Sequence, residues 1–245
     1  MERSEMIAIN AAGIVEQTNA LQRHAKPSVK VLVVANPANT NCLCAINAAK
    51  SIPARNFTCL TRLDQERLRG MLSTHFKAPV RDVVIWGNHS STQVPYVDAA
   101  KLFRDGVYDT EVTRISGAEE VLPSIVERVQ RRGAEIIKAQ GASSAMSAAS
   151  AIAKHLADWI GPYHADMEMF SMGMISDGNT YGVPAGLVYS FPCRRTEAGV
   201  IQIVDDLPIS AEIRRMMELS TEELLAEKAE LENIVGKVNI SPSRL

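Results

Sequence analysis

The stretch Val29-Lys30-Val31-Leu32-Val33-Val34-Ala35 is a nearly unbroken run of β-branched and aliphatic residues, which suits a strand covered on both faces in a parallel sheet. Asn36-Pro37-Ala38-Asn39 breaks the run, and Asn39 is placed to cap a helix running through Ala45 to Lys50. Upstream, Ile7 to Ala25 spaces its apolar residues as a helix does, and Lys26-Pro27 stops it because proline has no N–H to give. Helix, strand, turn and helix in this order make part of an α/β unit.

Farther along, Thr58–Leu60 reads as a short strand, Leu63–Phe76 as a charged helix, and Asp82–Trp86 as a strand ending in Gly87-Asn88-His89-Ser90. Val126–His155, interrupted by Gly133 and Gly141, is rich in Ala and Ser and reads as closely packed helical segments. Phe170–Ile175, Gly186–Phe191 and Val200–Ile203 read as antiparallel strands, the first two separated by the turn residues Ser176-Asp177-Gly178-Asn179. Ser220 and Glu223 have capping-box spacing before Leu224, Leu231 and Val235, and Gly236 is placed to close that helix.

With 46% hydrophobic and 22% charged residues, the 245-residue chain has the means to bury a core as one large or two small domains. A net charge of −2 gives no basic field to recruit a polyanion, so nucleic acid is not expected as a partner. No apolar run approaches the roughly 20 residues a membrane helix needs, so no membrane role is expected. Cys42, Cys44, Cys59 and Cys193 have neither zinc-site spacing nor disulfide-scaffold density, and Met1-Glu2-Arg3-Ser4-Glu5 is not apolar. A reducing intracellular compartment is the expectation. His24, His75, His155 and His164 show no pattern for a metal cluster, so no metal is expected.

Three features carry possible chemistry: Asp64 and Arg67 on one helix, His89 after a strand, and Asn36-Pro37-Ala38-Asn39 after another. Residues three apart share a helix face, so from spacing alone Asp64 and Arg67 form a surface ion pair of only about 0.3–0.5 kcal/mol. His89 sits where open α/β sheets place ligand crevices, though a core imidazole bonded to a backbone carbonyl explains a lone histidine equally well. No Gly-x-Ser-x-Gly elbow supports a hydrolase, and no Gly-x-Gly-x-x-Gly turn occurs anywhere in the 245 residues.

Taken in order, six stretches resemble the lactate and malate dehydrogenase family, and within it the cytosolic malate dehydrogenase branch. They are Met1-Glu2-Arg3, Val33-Val34-Ala35-Asn36-Pro37-Ala38-Asn39-Thr40-Asn41, Leu60-Thr61-Arg62-Leu63-Asp64, Trp86-Gly87-Asn88-His89-Ser90-Ser91-Thr92-Gln93, Ser143-Ser144-Ala145-Met146-Ser147 and Ser176-Asp177-Gly178-Asn179-Thr180-Tyr181-Gly182. The resemblance implies NAD-dependent interconversion of malate and oxaloacetate, with His89 as proton-transfer base and Asp64 as its carboxylate partner. It implies further that Arg67 clamps the substrate C1 carboxylate, that Arg3 polarises the reacting oxygen, and that Ser143 and Asn36 lie on the substrate. Asn10, Gln17, Val34, Ala35 and Asn36 match cofactor-contacting positions.

The implied fold is α/β, an incomplete Rossmann-like dinucleotide-binding domain over residues 1–60 followed by an α+β catalytic domain over 61–245. Against the family pattern, the glycine-rich pyrophosphate turn, the acidic ribose contact and the loop arginine for the distal carboxylate are not in this sequence, and Met1 lines up inside that loop. The resemblance thus reads as a chain cut before Glu2-Arg3, and a catalytically silent fragment acting only as an interaction or dimerisation module is the competing reading. A homodimer is implied by the family. The expected location is the cytoplasm, with Ser243-Arg244-Leu245 resembling a peroxisomal Ser-Lys-Leu address as the alternative.

Overall fold

The computed structural model describes residues 3–237, with side chains from 5 to 235, and opens on helix α1 (Arg3–His24). The chain clusters into two compact units, one taking the described residues of Met1–Cys59, Met174–Tyr189 and Thr221–Leu245, the other Leu60–Gly173 and Ser190–Ser220. The side chain of Arg3 and the whole of Ser243-Arg244-Leu245 lie outside the described residues.

In the first unit, strand β1 (Val31–Val33) pairs in parallel with β2 (Phe57–Cys59), Leu32 opposite Thr58, and helix α2 (Ala38–Ala48) connects them. Parallel neighbours need such a crossover. Ile7, Ala11 and Val15, spaced four residues apart on α1, pack with Cys42, Leu43 and Ala45 of α2 and with Phe57, Cys59, Val188 and Leu231. The small residues on α2 let the two helices approach closely.

Two expectations fail in this unit. β1 is half-buried throughout rather than covered on both faces, because it is the edge strand of its sheet, while β2 is fully buried. Asn39 is no cap: α2 already begins at Ala38 behind Pro37, and the fully buried Asn39 amide donates to the Val188 carbonyl at 3.0 Å. A proline costs nothing at a helix start, and a buried amide is better satisfied by a strand carbonyl than by a helix end that has none to offer.

In the second unit, α3 (Arg62–Phe76) leads to four short strands, β3 (Val80–Arg81), β4 (Val84–Trp86), β5 (Val94–Tyr96) and β6 (Lys101–Arg104), then β7 (Val107–Glu111). β4 and β5 pair antiparallel, and β3, β6 and β7 form a second antiparallel sheet. The β6–β7 hairpin turns at Asp105 (φ 48°) and Gly106 (φ 85°), the left-handed pair that a two-residue hairpin demands. Leu68 and Leu72 of α3 lock onto Ile85, Leu102, Ile125 and Val129 in a separate core.

Helix α4 (Ala118–Gln140) runs through Gly133 without interruption and ends at Gly141 (φ 70°). Helix α5 (Ala145–Ile160) buries only Ala151, His155 and Trp159, so the Ala/Ser-rich stretch is a single packed stripe on an exposed helix rather than closely packed segments. Strands β8 (Phe170–Ile175) and β9 (Val188–Arg195) each carry the chain between units, and β10 (Ile201–Ile203) pairs antiparallel with β9.

The last helix, α6 (Ala211–Lys237), starts ten residues before the expected capping box and still includes Gly236. Ser210 takes the capping position, its Oγ accepting from the Ile213 N–H at 3.2 Å, and Ser220 falls in mid-helix, fully buried. No helix among the described residues is long and apolar enough to cross a membrane.

Candidate active site

Asp64 lies in the first turn of α3, where the unsatisfied N–H groups of a helix start favour a carboxylate. It is fully buried and divides its two oxygens between two donors: Oδ1 accepts from Arg67 Nη1 at 2.8 Å and Oδ2 from His89 Nδ1 at 2.5 Å. Burial alone pushes the Asp64 carboxyl up, but the charge and hydrogen bond of His89, then those of Arg67, outweigh it and hold the group below the ordinary carboxylate range. The spacing therefore yields the ion pair, but not the surface pair expected of it, because α4 and the β4 end enclose this face of α3.

His89 arrives from β4, which ends at Trp86, and Gly87 (φ 89°) turns the chain. Gly87 is pinned by reciprocal backbone bonds with Ser190, N to O at 3.1 Å and O to N at 2.9 Å. The His89 side chain keeps 16% of its surface exposed, and its Nδ1 meets a carboxylate rather than the backbone carbonyl of a structural core histidine. With the Asp64 carboxylate as acceptor, Nδ1 carries the proton and Nε2 is the basic nitrogen of the neutral ring.

Arg67 spends Nη1 on Asp64, while its Nε is buried and has no hydrogen-bond partner among the described residues. A buried guanidinium N–H of this kind calls for an acceptor. Gly133 of α4 lies alongside, and a Cβ there would stand 3.7 Å from Arg67 Nη1.

The other expected residues fall into two places. In the first unit Asn10 of α1 donates from Nδ2 to the Asn36 carbonyl at 2.7 Å, which ties the helix to the carboxyl end of β1 where Val34, Ala35 and Asn36 are exposed. Val34 is 39% exposed, an apolar side chain facing out at the end of a parallel strand. Gln17 lies two turns farther along α1 and is exposed, apart from that group. In the second unit Ser143 is exposed in the loop between α4 and α5. Among the described residues no group of three or more His, Cys, Asp or Glu could hold a metal ion.

Sequence reasoning missed the residues that hold the His89 loop. Thr92 and the mid-helix Ser220 are joined by a hydrogen bond of 3.1 Å, and Ser220 Oγ accepts from the Asn88 N–H at 2.8 Å. The only signal was a serine inside a helical apolar pattern, which was read as a cap.

A buried carboxylate, a histidine and an arginine are thus joined in one cluster in the second unit, while the first unit holds a parallel strand pair joined by a helix. Residues 1–58 match the model of the lactate/malate dehydrogenase NAD binding domain, and residues 61–235 that of the lactate/malate dehydrogenase alpha/beta C-terminal domain. The chain belongs to the lactate/malate dehydrogenase family. It is 44% identical over 232 residues to the cytoplasmic malate dehydrogenase of Rattus norvegicus and 45% identical to that of Homo sapiens, covering 93% of this chain and 69% of each relative. Among solved structures it is similar to the lactate dehydrogenase of Trichomonas vaginalis in complex with NADH and oxamate (TM-score 0.89, 30% identity, 97% of this chain and 72% of that one). It is likewise similar to the malate dehydrogenase of Naegleria fowleri (TM-score 0.85, 36% identity, 96% and 70%).

Proposed function

We propose that this chain carries the proton-transfer and carboxylate-binding residues of an NAD-dependent L-malate dehydrogenase. The observation that supports this most is the Asp64 carboxylate shared between His89 Nδ1 and Arg67 Nη1. Oxidising a 2-hydroxy acid removes the hydroxyl proton as hydride leaves the same carbon, and His89 Nε2 is the base that takes the proton. Asp64 fixes the tautomer that leaves Nε2 basic and stabilises the imidazolium once formed. Arg67, with one N–H held by Asp64 and a buried Nε without a partner, binds the C1 carboxylate by parallel charge-assisted bonds. Arg3 is assigned to the reacting oxygen and Ser143 to the substrate by resemblance alone.

NAD is the cofactor of this reading, and when bound it accepts the hydride from the substrate carbon. The residues present fit its nicotinamide end: the outward Val34 and the neighbouring Ala35 and Asn36, braced by Asn10, offer an apolar face with amide groups beside it, at the strand end where such sheets bind ligands. Gln17, farther along the same helix, is assigned to the cofactor by resemblance alone. We assign residues 1–60 to the cofactor domain and 61–245 to the substrate domain, and read the protein as cytosolic, in keeping with the names of its relatives, and as a homodimer by family resemblance alone.

The test is His89→Gln, assayed for oxaloacetate reduction at NADH concentrations well above its dissociation constant. Turnover is expected to fall by about 100-fold or more with NADH binding nearly unchanged, since a proton donor and acceptor is lost but no cofactor contact. Unchanged turnover removes His89 from the mechanism.

A further inference from the structure

Ser220 is a hydroxyl in the middle of a 27-residue helix, a place where serine has no capping use and modest helix propensity. It is fully buried and faces the loop that carries His89. Its Oγ accepts the backbone N–H of Asn88, the residue before His89, at 2.8 Å, and the hydroxyl of Thr92, three residues after it, at 3.1 Å.

The loop is also bonded within itself. The Ser90 and Thr92 hydroxyls lie 2.9 Å apart in a hydrogen bond, and Ser90 Oγ accepts the Thr92 N–H at 3.0 Å. The Ser90 N–H closes the loop on the Asn88 carbonyl at 2.9 Å. One buried oxygen on α6 thus receives hydrogen bonds from both sides of His89, and the loop between wraps on itself.

We infer that Ser220 is a positioning residue that holds the His89 imidazole in register with Asp64, an inference that rests on reading His89 as the proton acceptor. The His89 Nδ1–Asp64 Oδ2 hydrogen bond sets the place of the ring, and a misplacement of about 1 Å at a reacting group can cost ~100-fold in rate. Removing the Oγ leaves the Asn88 N–H buried without its acceptor, and the backbone there must shift to find another.

The experiment compares Ser220→Ala, Ser220→Cys and Ser220→Thr with His89→Gln in the full chain. Ser220→Cys keeps the volume with a weak acceptor, so it reports on the hydrogen bonds even where Ser220→Ala folds poorly; Ser220→Thr keeps the hydroxyl. Hydrogen exchange is followed at the Asn88 amide, NADH binding by fluorescence, and kcat and KM for oxaloacetate at saturating NADH. Expected are faster exchange at Asn88 and a kcat lowered about tenfold in Ser220→Ala and Ser220→Cys, with oxaloacetate KM and NADH affinity within about twofold, and recovery in Ser220→Thr. An unchanged kcat in Ser220→Ala and Ser220→Cys, alongside a collapse in His89→Gln, overturns the positioning role while leaving the function reading intact. A parallel loss of kcat, KM and NADH affinity that Ser220→Thr fails to rescue overturns it in favour of a purely structural serine. An active His89→Gln overturns the function reading itself.

Discussion

Asp64 and His155 show how differently two buried ionisable groups behave within one unit. Asp64 is compensated by the Arg67 guanidinium and the His89 N–H and stays charged, whereas His155, 1% exposed and edge-on to Trp159, has its pKa pulled down to about 3 by burial first and by the charge of Arg62 second. His155 is therefore neutral in the native protein at any ordinary pH. Its folded pKa lies below the unfolded value near 6.5, so the native state has full stability from this residue above about pH 6.5 and loses it progressively as pH falls toward about 3. We expect the melting temperature to drop on going from pH 7 to pH 5, and His155→Gln, which cannot titrate, to flatten that slope; parallel slopes count against the assignment. At this scale the sequence was legible only in part. Asp64 and Arg67 are three apart in many ordinary helices, and what makes them a site, the burial of Asp64 and the approach of His89 from 25 residues away, is tertiary. Family resemblance pointed to these residues where spacing could not, and it named nothing about Ser220.

Elements were read best where periodicity was long. The α1 and α3 helices and strand β8 match their expected spans closely, because heptad-like apolar spacing and a proline stop are local signals. The β6–β7 hairpin was overlooked although Asp105-Gly106 is its turn signature, since its flanking strands are half-exposed and lack an apolar run. Gly133 reads as a break because glycine is poor in helices, yet α4 carries it through the face next to Arg67. Only ordinary van der Waals contact awaits a methyl there, so Gly133→Ala should stabilise the protein by about 0.5–1 kcal/mol, seen as a higher urea midpoint. Gly133→Leu reaches into the guanidinium and should raise oxaloacetate KM. A lower midpoint for Gly133→Ala contradicts the packing described.

Across the molecule, the α/β class and the helix-strand-helix order of the first unit follow from the sequence, while the strands β3, β5, β6 and β7 and the burial of β1 do not, because a strand's neighbours are not written in the strand. The 245 residues span 69% of the length of the curated relatives and contain no Gly-x-Gly-x-x-Gly turn. Such a turn places backbone N–H groups and a helix start on the cofactor pyrophosphate. Without it, the 245-residue chain alone is expected to bind NADH much more weakly than the cytoplasmic malate dehydrogenase of Rattus norvegicus, and the half-buried edge of β1 to promote association. Fluorescence titration of both proteins in parallel decides this, and comparable affinity from a monodisperse sample refutes it. Weak binding leaves the catalytic cluster itself open to a test that needs no cofactor. In ¹⁵N-labelled protein near neutral pH, the His89 ring is predicted to carry its proton on Nδ1, seen as a strongly downfield N–H signal that disappears in Asp64→Asn. A neutral His89 protonated on Nε2 in the unaltered protein, or an Nδ1–H signal indifferent to Asp64→Asn, contradicts the account.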